Sequence, residues 1–352
     1  MNHDSRPANR RFRNTALLLL LSLGFLSCLS SRAQILGFSS PTSTSSFSVG
    51  GNSQREGVSG TVFTDGWLYV AYTGRNTDGY GNAPVYVSLT NGGDASYIYS
   101  GWQATLSGPQ TIAAADNPAI VNYGGRLVMA YTDSFGSVNL VASTSVDHSA
   151  APPVNWGSTI ASIPLSGADG SPSLAVHSIN GTPYLFLAAR NAADHSLSLV
   201  QFDLNLNIVH SMNCPTCTLG FSPALGEFQG KLYIAIQAND NSHNIYYWTT
   251  TDGQNLTFLV STKSDQTSTT PSLAVHNGIL YLGFRTNDGN HKFLYKYSYD
   301  GQNWSGGIYG GVTMGGSPAL IDATGLQADN GDLLNLFVAN DSSYWLWGQK
   351  AP

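Results

Sequence analysis

The sequence predicts an all-β fold, a six-bladed β-propeller of four-stranded blades, and three observations support this prediction. Charged residues make up only 10% of the 352 positions and glycine fills 38 of them, which excludes helical bundles, coiled coils and charged disordered chains. Hydrophobic residues make up 42%, enough for a sizeable core. A pattern of about fifty residues also recurs six times, and repeats of that length with four short strands are typical of propeller blades.

Each repeat begins with a small residue and, in all but the first, a proline. A short apolar run, a turn and a second apolar run follow; Thr270-Pro271-Ser272-Leu273, for example, leads to the run at 278–285. Because proline is tolerated at the start of a strand, we predict strand A after the proline and strand B in the second run. The repeats begin at 59, 117, 171, 222, 270 and 317.

Two further strands complete each predicted blade. Strand C has the period-two alternation of a hairpin strand, as at 293–297, between turns rich in Gly, Asn and Asp. A weaker strand D is predicted near Trp102, Trp156, Phe258 and Trp304. The last repeat ends after strand C, at 344–347. We predict that the stretch from Ile35 to Val49 supplies its fourth strand and closes the ring, the alternative being a disordered leader.

Residues 1–33 are predicted to be a signal peptide, leaving residues 34–352 as a single propeller domain. Four arginines precede an apolar run of fourteen residues, 16–29, which is shorter than the ~20 residues of a membrane span. Ser31-Arg32-Ala33 fits a cleavage site. A competing lipoprotein box would instead place an anchor at Cys28. The expected location is extracellular or periplasmic, without a membrane span.

The charge balance narrows the expected partners. Residues 1–33 hold one acidic and five basic residues, so the 21 acids and 15 bases of the whole chain become 20 and 10, a net charge of −10. Phosphate recognition needs clustered Lys and Arg, so nucleic acid is not an expected partner, and anionic membranes are disfavoured for the same reason.

Cys214 and Cys217 form a Cys-x-x-Cys pair, which can be a redox centre, half a zinc site or a local disulfide. A thioredoxin-type centre needs a βαβ context and a zinc site needs two more ligands, and the sequence contains neither. We therefore predict a disulfide formed in an oxidising compartment. We predict no cofactor and assign no metal site; the weak calcium-like loop at 329–332 is more typical of a turn.

Residues 298–304, Ser-Tyr-Asp-Gly-Gln-Asn-Trp, and a weaker copy at 250–256 resemble the Asp-box (BNR) repeat of the sialidase-type β-propellers. That box is usually Ser/Thr-x-Asp-x-Gly-x-x-Trp, whereas here Gly follows Asp directly. The resemblance covers nearly the whole mature chain as a repeat pattern, but the box is clear only in blade 5. In that family the box is structural and lies on the turn between strands C and D, so it implies a fold rather than an activity.

Propeller geometry places the end of strand B on the same face as the start of strand A, around the central channel. Aligning the repeats puts Thr73, Thr132, Arg190, Gln237, Arg285 and Val338 at the end of strand B. A guanidinium suits a carboxylate or sugar hydroxyls, so Arg190, Arg285 and Gln237 are ligand-binding candidates. The alternative is that each arginine pairs with a neighbouring aspartate and holds its hairpin. The B–C turns carry an aspartate series that fits ordinary turn chemistry: Asp78, Asp133, Asp194, Asp240, Asp288 and Asp341.

The resemblance implies more candidates. Arg55 stands where the sialidase family has an arginine before its first strand A, although Glu56-Gly57 follow in place of Ile-Pro. Arg75 matches a second family arginine, and Arg190 and Arg285 could complete a carboxylate-binding cluster. The family also uses an acidic acid/base, for which Asp78 and Asp94 are the nearest candidates. It uses a Tyr–Glu pair as well, and the chain has only two glutamates, Glu56 and Glu227, of which Glu227 is the candidate.

Aromatic residues indicate a second type of sugar site, between blades, although most of them are expected in the inter-blade core. The candidates are Trp67, Trp248, Trp345, Trp347, Tyr80 and Tyr99. His177 and His276 are expected to pack or to end strand A, and the histidines are otherwise scattered. Three functional hypotheses follow: a secreted glycan-binding or ligand-binding module, a sialidase-like exo-glycoside hydrolase, and a purely structural surface module.

Overall fold

The computed structural model describes residues 42–48, 57–74, 82–91, 102–105, 111–164, 170–327, 331–340 and 345–351. These residues form 26 β-strands and no helix, so the described part contains no helix that could span a membrane. The strands form six small antiparallel sheets, one for each predicted repeat. The predicted all-β, six-bladed architecture is therefore confirmed.

The first three blades, each given from the innermost strand outward, have the following strands. Blade 1 contains β2 (Ser59–Val62), β3 (Leu68–Thr73), β4 (Ala83–Thr90) and β5 (Trp102–Gln103), with β6 (Ala113–Ala114) also paired to β4. Blade 2 contains β7 (Ala119–Tyr123), β8 (Arg126–Thr132), β9 (Ser137–Val146) and β10 (Val154–Trp156), with β11 (Ala161–Pro164) also paired to β9. Blade 3 contains β12 (Ser173–Ile179), β13 (Thr182–Arg190), β14 (Ser196–Phe202) and β15 (Ile208–Thr218).

The other three blades follow the same order. Blade 4 contains β16 (Ala224–Phe228), β17 (Lys231–Gln237), β18 (Asn244–Thr250) and β19 (Thr257–Gln266). Blade 5 contains β20 (Ser272–His276), β21 (Ile279–Arg285), β22 (Lys292–Ser298) and β23 (Ile308–Thr313). Blade 6 contains β24 (Ala319–Asp322), β25 (Leu333–Val338), β26 (Trp345–Ala351) and β1 (Thr42–Ser48).

The six innermost strands form a closed ring. Each of β2, β7, β12, β16, β20 and β24 contacts the innermost strand of the next blade, and β24 returns to β2. Closure also involves the N-terminal strand: β1 pairs antiparallel with β26, with Thr42 opposite Gly348 and Ser48 opposite Trp345. The predicted closing strand is thus confirmed, and blade 6 joins strands from both ends of the domain.

The core lies between neighbouring blades rather than inside any one of them. Each buried hydrophobic cluster combines side chains from two adjacent sheets, such as blades 1 and 2, or blades 4 and 5. Strand B has a neighbouring blade on both faces, and all residues of β3, β21 and β25 are buried. This explains why strand B appears in the sequence as a continuous apolar run while outer strands alternate.

The fourth strand of blade 5 lies near Trp304, as predicted, but does not contain it. Trp304 stands in the turn before this strand, because β23 begins at Ile308. Its indole stacks on Tyr247 of blade 4, with ring centroids 5.0 Å apart. This aromatic contact packs the C–D turn against the neighbouring blade.

Aspartates close several of the turns that join strands C and D. Asp203, Asp252 and Asp300 accept hydrogen bonds from backbone N–H groups two to four residues ahead. In blade 5, the Asp300 carboxylate accepts from Gln302 N at 2.8 Å and from Asn303 N at 2.7 Å. The bonds from the turn backbone, above all from its last residue, hold the pKa values of the three carboxyls below their ordinary range.

We expect the protein to lose stability as the pH falls below about 4, toward the lowered pKa values of these carboxyls in the folded state. A carboxylate whose pKa is lowered by folding stabilises the folded state above its unfolded pKa, and this contribution disappears as the pH falls through the folded value. The urea midpoint should therefore decrease below about pH 4. Asp300→Asn keeps an oxygen acceptor but does not ionise, so its midpoint should fall less over the same range. An equal fall in both proteins would contradict this account.

Candidate functional site

The central channel opens at the face where the innermost strands begin. A cavity of about 230 Å³ lies here and is lined by the first residues of the innermost strands of all six blades. Its walls carry the repeated proline of blades 2 to 6 and the small residues beside it. The proline of blades 2 to 6 and the small residues on either side of it therefore form much of the channel mouth.

Serine and alanine alternate around this mouth. The first residue of the innermost strand is serine in blades 1, 3 and 5 and alanine in blades 2, 4 and 6. Each serine hydroxyl accepts the backbone N–H of the second strand residue in the following blade: Ser59 from Ile120 at 3.1 Å, Ser173 from Leu225 at 3.1 Å, and Ser272 from Leu320 at 2.9 Å. A hydroxyl can accept and donate at once, so these groups join the blades and present polar atoms to the channel.

A second polar layer precedes the prolines of blades 2 to 4. The Asp116 carboxylate accepts from the Ser171 hydroxyl at 2.8 Å and from the backbone of Asn117 at 2.7 Å. The Ser222 hydroxyl accepts the backbone N–H of Ser171 at 2.7 Å. Asp116, Asn117 and Ser222 are buried, so this layer joins three blade entries by hydrogen bonds.

The structure brings Arg190, Gln237 and Arg285 to this face, as the ends of strands β13, β17 and β21. Their side chains donate to the connections that enter the following blade: Arg190 Nε to Leu219 O at 2.7 Å, and Gln237 Nε2 to Thr267 O. The buried Arg285 donates from Nε to the Ser268 hydroxyl at 3.0 Å and from Nη1 to the carbonyls of Met314 and Gly315.

Thr132 makes the same contact in blade 2, since its hydroxyl donates to Gly170 O at 2.9 Å. In four successive blades, the side chain of the last residue of strand B therefore hydrogen-bonds to the connection that enters the next blade. In each of these blades at least one of the bonds is accepted by a backbone carbonyl. The ligand-binding role of Arg190, Gln237 and Arg285 stays a prediction.

Three histidines that the sequence analysis treated as scattered occupy equivalent positions. His195, His243 and His291 each come directly before strand C, with φ of 60°, 55° and 52°, a backbone region uncommon for residues other than glycine. Each backbone carbonyl accepts an N–H from the same connection that the strand B residue contacts. The constant spacing of 48 residues is the signal that could have found them.

The histidine side chains extend the polar rim of blades 3 to 5. His195 Nδ1 lies 2.6 Å from Asn239 Nδ2, and His243 Nδ1 lies 2.9 Å from Gln237 Nε2. His291 Nδ1 is buried without a hydrogen-bond partner among the described residues. Within the described part of the chain, no three His, Cys, Asp or Glu side chains are grouped in a way that could hold a metal ion.

The carboxylates of the B–C turns are held by their own turns. Asp194 accepts from the backbone and hydroxyl of Ser196, and Asp240 accepts from Ser242 in the same way. The hydroxyl bond is the first cause that lowers the pKa of each carboxyl. For Asp288, the hydrogen bond from the Thr286 hydroxyl is the largest cause and the one from the Asn290 side-chain amide is the next. Together they lower the pKa of the Asp288 carboxyl to about 2. These three carboxyls are therefore ionised at neutral pH.

Glu227 lies elsewhere. It is near the opposite end of β16, beside the turn to β17, and its carboxylate accepts the backbone N–H of Gly230 at 3.0 Å. His177 Nδ1 lies 3.9 Å from its Oε1. The structure therefore does not bring Glu227 together with Arg190 and Arg285, and it takes no part in the site proposed below.

His177 and His276 are buried and contact the next blade. His177 Nε2 is 3.3 Å from the carbonyl of Thr251, and His276 Nδ1 is 2.7 Å from the Asp322 carboxylate. The cysteine pair lies in β15, where Cys214 and Cys217 are joined by a disulfide with an S–S distance of 1.97 Å.

Several predicted features lie outside the described residues. They are the signal peptide with Cys28, the candidates Arg55, Glu56, Arg75, Asp78 and Asp94, the aromatics Tyr80 and Tyr99, Asp341, and the first half of the calcium-like loop at 329–332. Their roles stay predictions.

Solved structures with a similar fold include three glycosidases. The α-L-arabinanase of Penicillium chrysogenum, complexed with arabinobiose, matches with a TM-score of 0.58 and 14% identity, over 89% of this chain and 98% of that chain. The α-L-arabinofuranosidase of Fusarium graminearum, in complex with an iminosugar inhibitor, matches with a TM-score of 0.59 and 10% identity, over 90% and 98%. The sialidase of Trypanosoma rangeli, in complex with the inhibitor DANA, gives 0.53 and 11% over 88% of this chain, but only 55% of the sialidase.

No protein-family profile and no curated protein matches the sequence. The resemblance to Asp-box repeats therefore does not show that this chain belongs to that family. At identities of 10 to 14%, the structural likeness establishes the architecture alone. The chain has a β-propeller fold of the kind seen in glycosidases.

Proposed function

We propose that this protein is a non-catalytic carbohydrate-binding propeller that takes a neutral saccharide at the channel mouth. The observation that carries the proposal is the lining of the cavity. Among the described residues that line it, none is Asp, Glu, Lys or Arg, whereas Ser and Thr recur together with proline and Asn117 adds an amide. Sugar hydroxyls both donate and accept, so a wall of hydroxyls and amides matches a polyol better than an anion.

The state of the nearby carboxylates supports binding over hydrolysis. Most glycoside hydrolases need one carboxyl whose raised pKa keeps it protonated as the general acid, and a second carboxylate opposite it. Asp194, Asp240 and Asp288 have lowered pKa values instead, and Asp116 is bonded to Ser171 and Asn117. None of the three turn aspartates therefore has the raised pKa of a general acid.

The buried Arg285 favours the same conclusion. A guanidinium that recognises a substrate carboxylate presents its fork of N–H groups to the ligand. Arg285 directs Nε and Nη1 to Ser268, Met314 and Gly315 of its own chain. The sialidase-like exo-hydrolase with an arginine cluster therefore remains the alternative that the experiment must separate from a binding module.

The expected result is that Thr270→Trp weakens saccharide binding by at least about tenfold, or ~1.4 kcal/mol. Thr270 lines the cavity, and an indole there would fill space that the ligand needs. Binding would be measured by titration calorimetry with neutral oligosaccharides selected on a glycan array. The matched control is Thr257→Trp, at an exposed position on the outer strand β19, which should bind as the wild type does.

Two outcomes would overturn the proposal. One is unchanged affinity in Thr270→Trp. The other is turnover of a fluorogenic sialoside or arabinofuranoside by the purified protein that Arg285→Ala abolishes while the protein stays folded, because that result would establish the hydrolase.

A further inference from the structure

A second cavity, of about 330 Å³, lies between blades 5 and 6, away from the channel mouth. We call it the inter-blade pocket. Tyr309, Val312 and Thr313 of β23 line one side, and Phe337, Asn340 and Trp347 of blade 6 line the other. The described residues that line it are all different from those that line the channel cavity, and none of them is Asp, Glu, Lys or Arg.

The sequence of β23 explains why a pocket forms here. This outer strand contains two consecutive glycines, Gly310 and Gly311. Gly310 lies so close to the Phe293 ring that a Cβ would not fit, while the space around Gly311, with φ of 83°, is open. The two glycines therefore bring the backbone against blade 5 and leave room in front of it.

A hydrogen bond joins blades 5 and 6 beside the pocket. The buried Gln349 amide donates to the carbonyl of Gly310 at 2.8 Å, and Gln349 Oε1 accepts from Asn335 at 3.2 Å. This bond fixes β23 relative to β26, which carries Trp347. A pocket whose walls are fixed before binding loses less entropy when it takes a ligand.

The polar groups of the pocket match a particular ligand chemistry. The Trp347 indole Nε1 is buried in the pocket wall and has no hydrogen-bond partner among the described residues. Tyr309 is 50% exposed and offers a ring face, with the Lys292 ammonium 5.6 Å from its centroid. Thr313 and Asn340 add exposed neutral polar groups.

We propose that the inter-blade pocket binds a single pyranose ring of a neutral saccharide. The C–H face of a pyranose is apolar and packs on an aromatic ring such as that of Tyr309, while its hydroxyls can hydrogen-bond to the exposed side chains of Thr313 and Asn340. A purely apolar ligand would make no use of these neutral polar groups. The volume lies at the lower end of the ~300–1,000 Å³ typical of small-ligand sites, which suits one ring rather than an extended chain.

The test follows the indole N–H signal of Trp347 by NMR in purified protein labelled with ¹⁵N-tryptophan. The chain has seven tryptophans, and Trp347→Phe assigns the signal by removing it. The probes are methyl β-D-glucopyranoside, methyl β-D-galactopyranoside and methyl α-L-fucopyranoside. We expect at least one probe to shift the Trp347 signal in a saturable way.

Variants separate this site from the channel and from general loss of structure. Tyr309→Ala should weaken the probe by about tenfold. Tyr299→Ala, which removes a tyrosine of similar exposure (53%) from blade 5 outside the pocket, should not. Thr270→Trp should leave the Trp347 shift unchanged, because no described residue lines both cavities. No shift with any of the three probes, or undiminished binding in Tyr309→Ala, would overturn the proposal.

Discussion

Lys296→Met should lower the free energy of unfolding by about 3–5 kcal/mol. The Lys296 ammonium on β22 of blade 5 lies 2.5 Å from the Asp265 carboxylate on β19 of blade 4, and both side chains are less than a tenth exposed. The substitution would leave a carboxylate in the inter-blade core without its cation. Removing one partner of a buried pair is much more costly than the net contribution of the pair, because the remaining charge stays desolvated.

The surroundings of the pair confirm that water is excluded there. Tyr247 packs nearby, completely buried, and burial raises its pKa well above the ordinary value, with the charge of Asp265 adding to the effect. Trp304 covers Tyr247 from the C–D turn of blade 5. A charge left without its partner in the interface between blades 4 and 5 therefore stays desolvated and is costly.

The measurement is urea unfolding followed by tryptophan fluorescence, with two comparisons. Lys350→Met breaks the more exposed Lys350–Asp332 contact, at 3.8 Å, and should cost less than about 1 kcal/mol. The double variant Lys296→Met with Asp265→Leu should recover most of the stability, since both charges are gone. If Lys296→Met costs no more than Lys350→Met, the pair is not desolvated as described.

Gly301→Ala should lower the free energy of unfolding by about 2–5 kcal/mol, a large effect for the addition of one methyl group in a turn. Gly301 follows the Asp300 turn with φ of 71°, and its N–H donates to the Ser298 hydroxyl at 2.9 Å. A Cβ here would meet the hydroxyl and ring of Tyr233 from blade 4. Both backbone strain and overpacking therefore act at once.

Gly278→Ala is the matched control. Its φ of 72° gives the same backbone strain, but no atom lies within 4 Å of the added carbon. We expect Gly278→Ala to lower the free energy of unfolding by about 1–2 kcal/mol. The difference between the two variants then measures how tightly the C–D turn packs against the neighbouring blade. Equal losses would mean that Tyr233 moves aside at little cost.

The architecture could be predicted from the sequence because its signals are local. Proline marks the start of the innermost strands of blades 2 to 6, and the second apolar run of each repeat became a strand buried on both faces. The lack of a fourth strand after Trp347 required a strand from elsewhere, and the N-terminal stretch supplied it. These inferences use only chain neighbours and the repeat length.

The site could be predicted only in part. Aligning the repeats correctly placed Arg190, Gln237 and Arg285 together on the channel face, because equivalent positions in a repeat protein share a face. It did not reveal that each side chain donates to the connection entering the next blade, or that His195, His243 and His291 stand beside them. Glu227 was a candidate because of its residue type, whereas its place near the other end of strand A separates it from the arginines.

The repeat pattern thus defined the blades, their order and the closure of the ring, because strand periodicity and turn chemistry act within about ten residues. Contacts between blades could be assigned only in the folded protein: Lys296 with Asp265, Trp304 with Tyr247, and the pocket between Tyr309 and Trp347. Each joins side chains from adjacent sheets, more than 30 residues apart in the chain. Which atoms meet there depends on how the sheets pack, and no local pattern in the sequence records that packing.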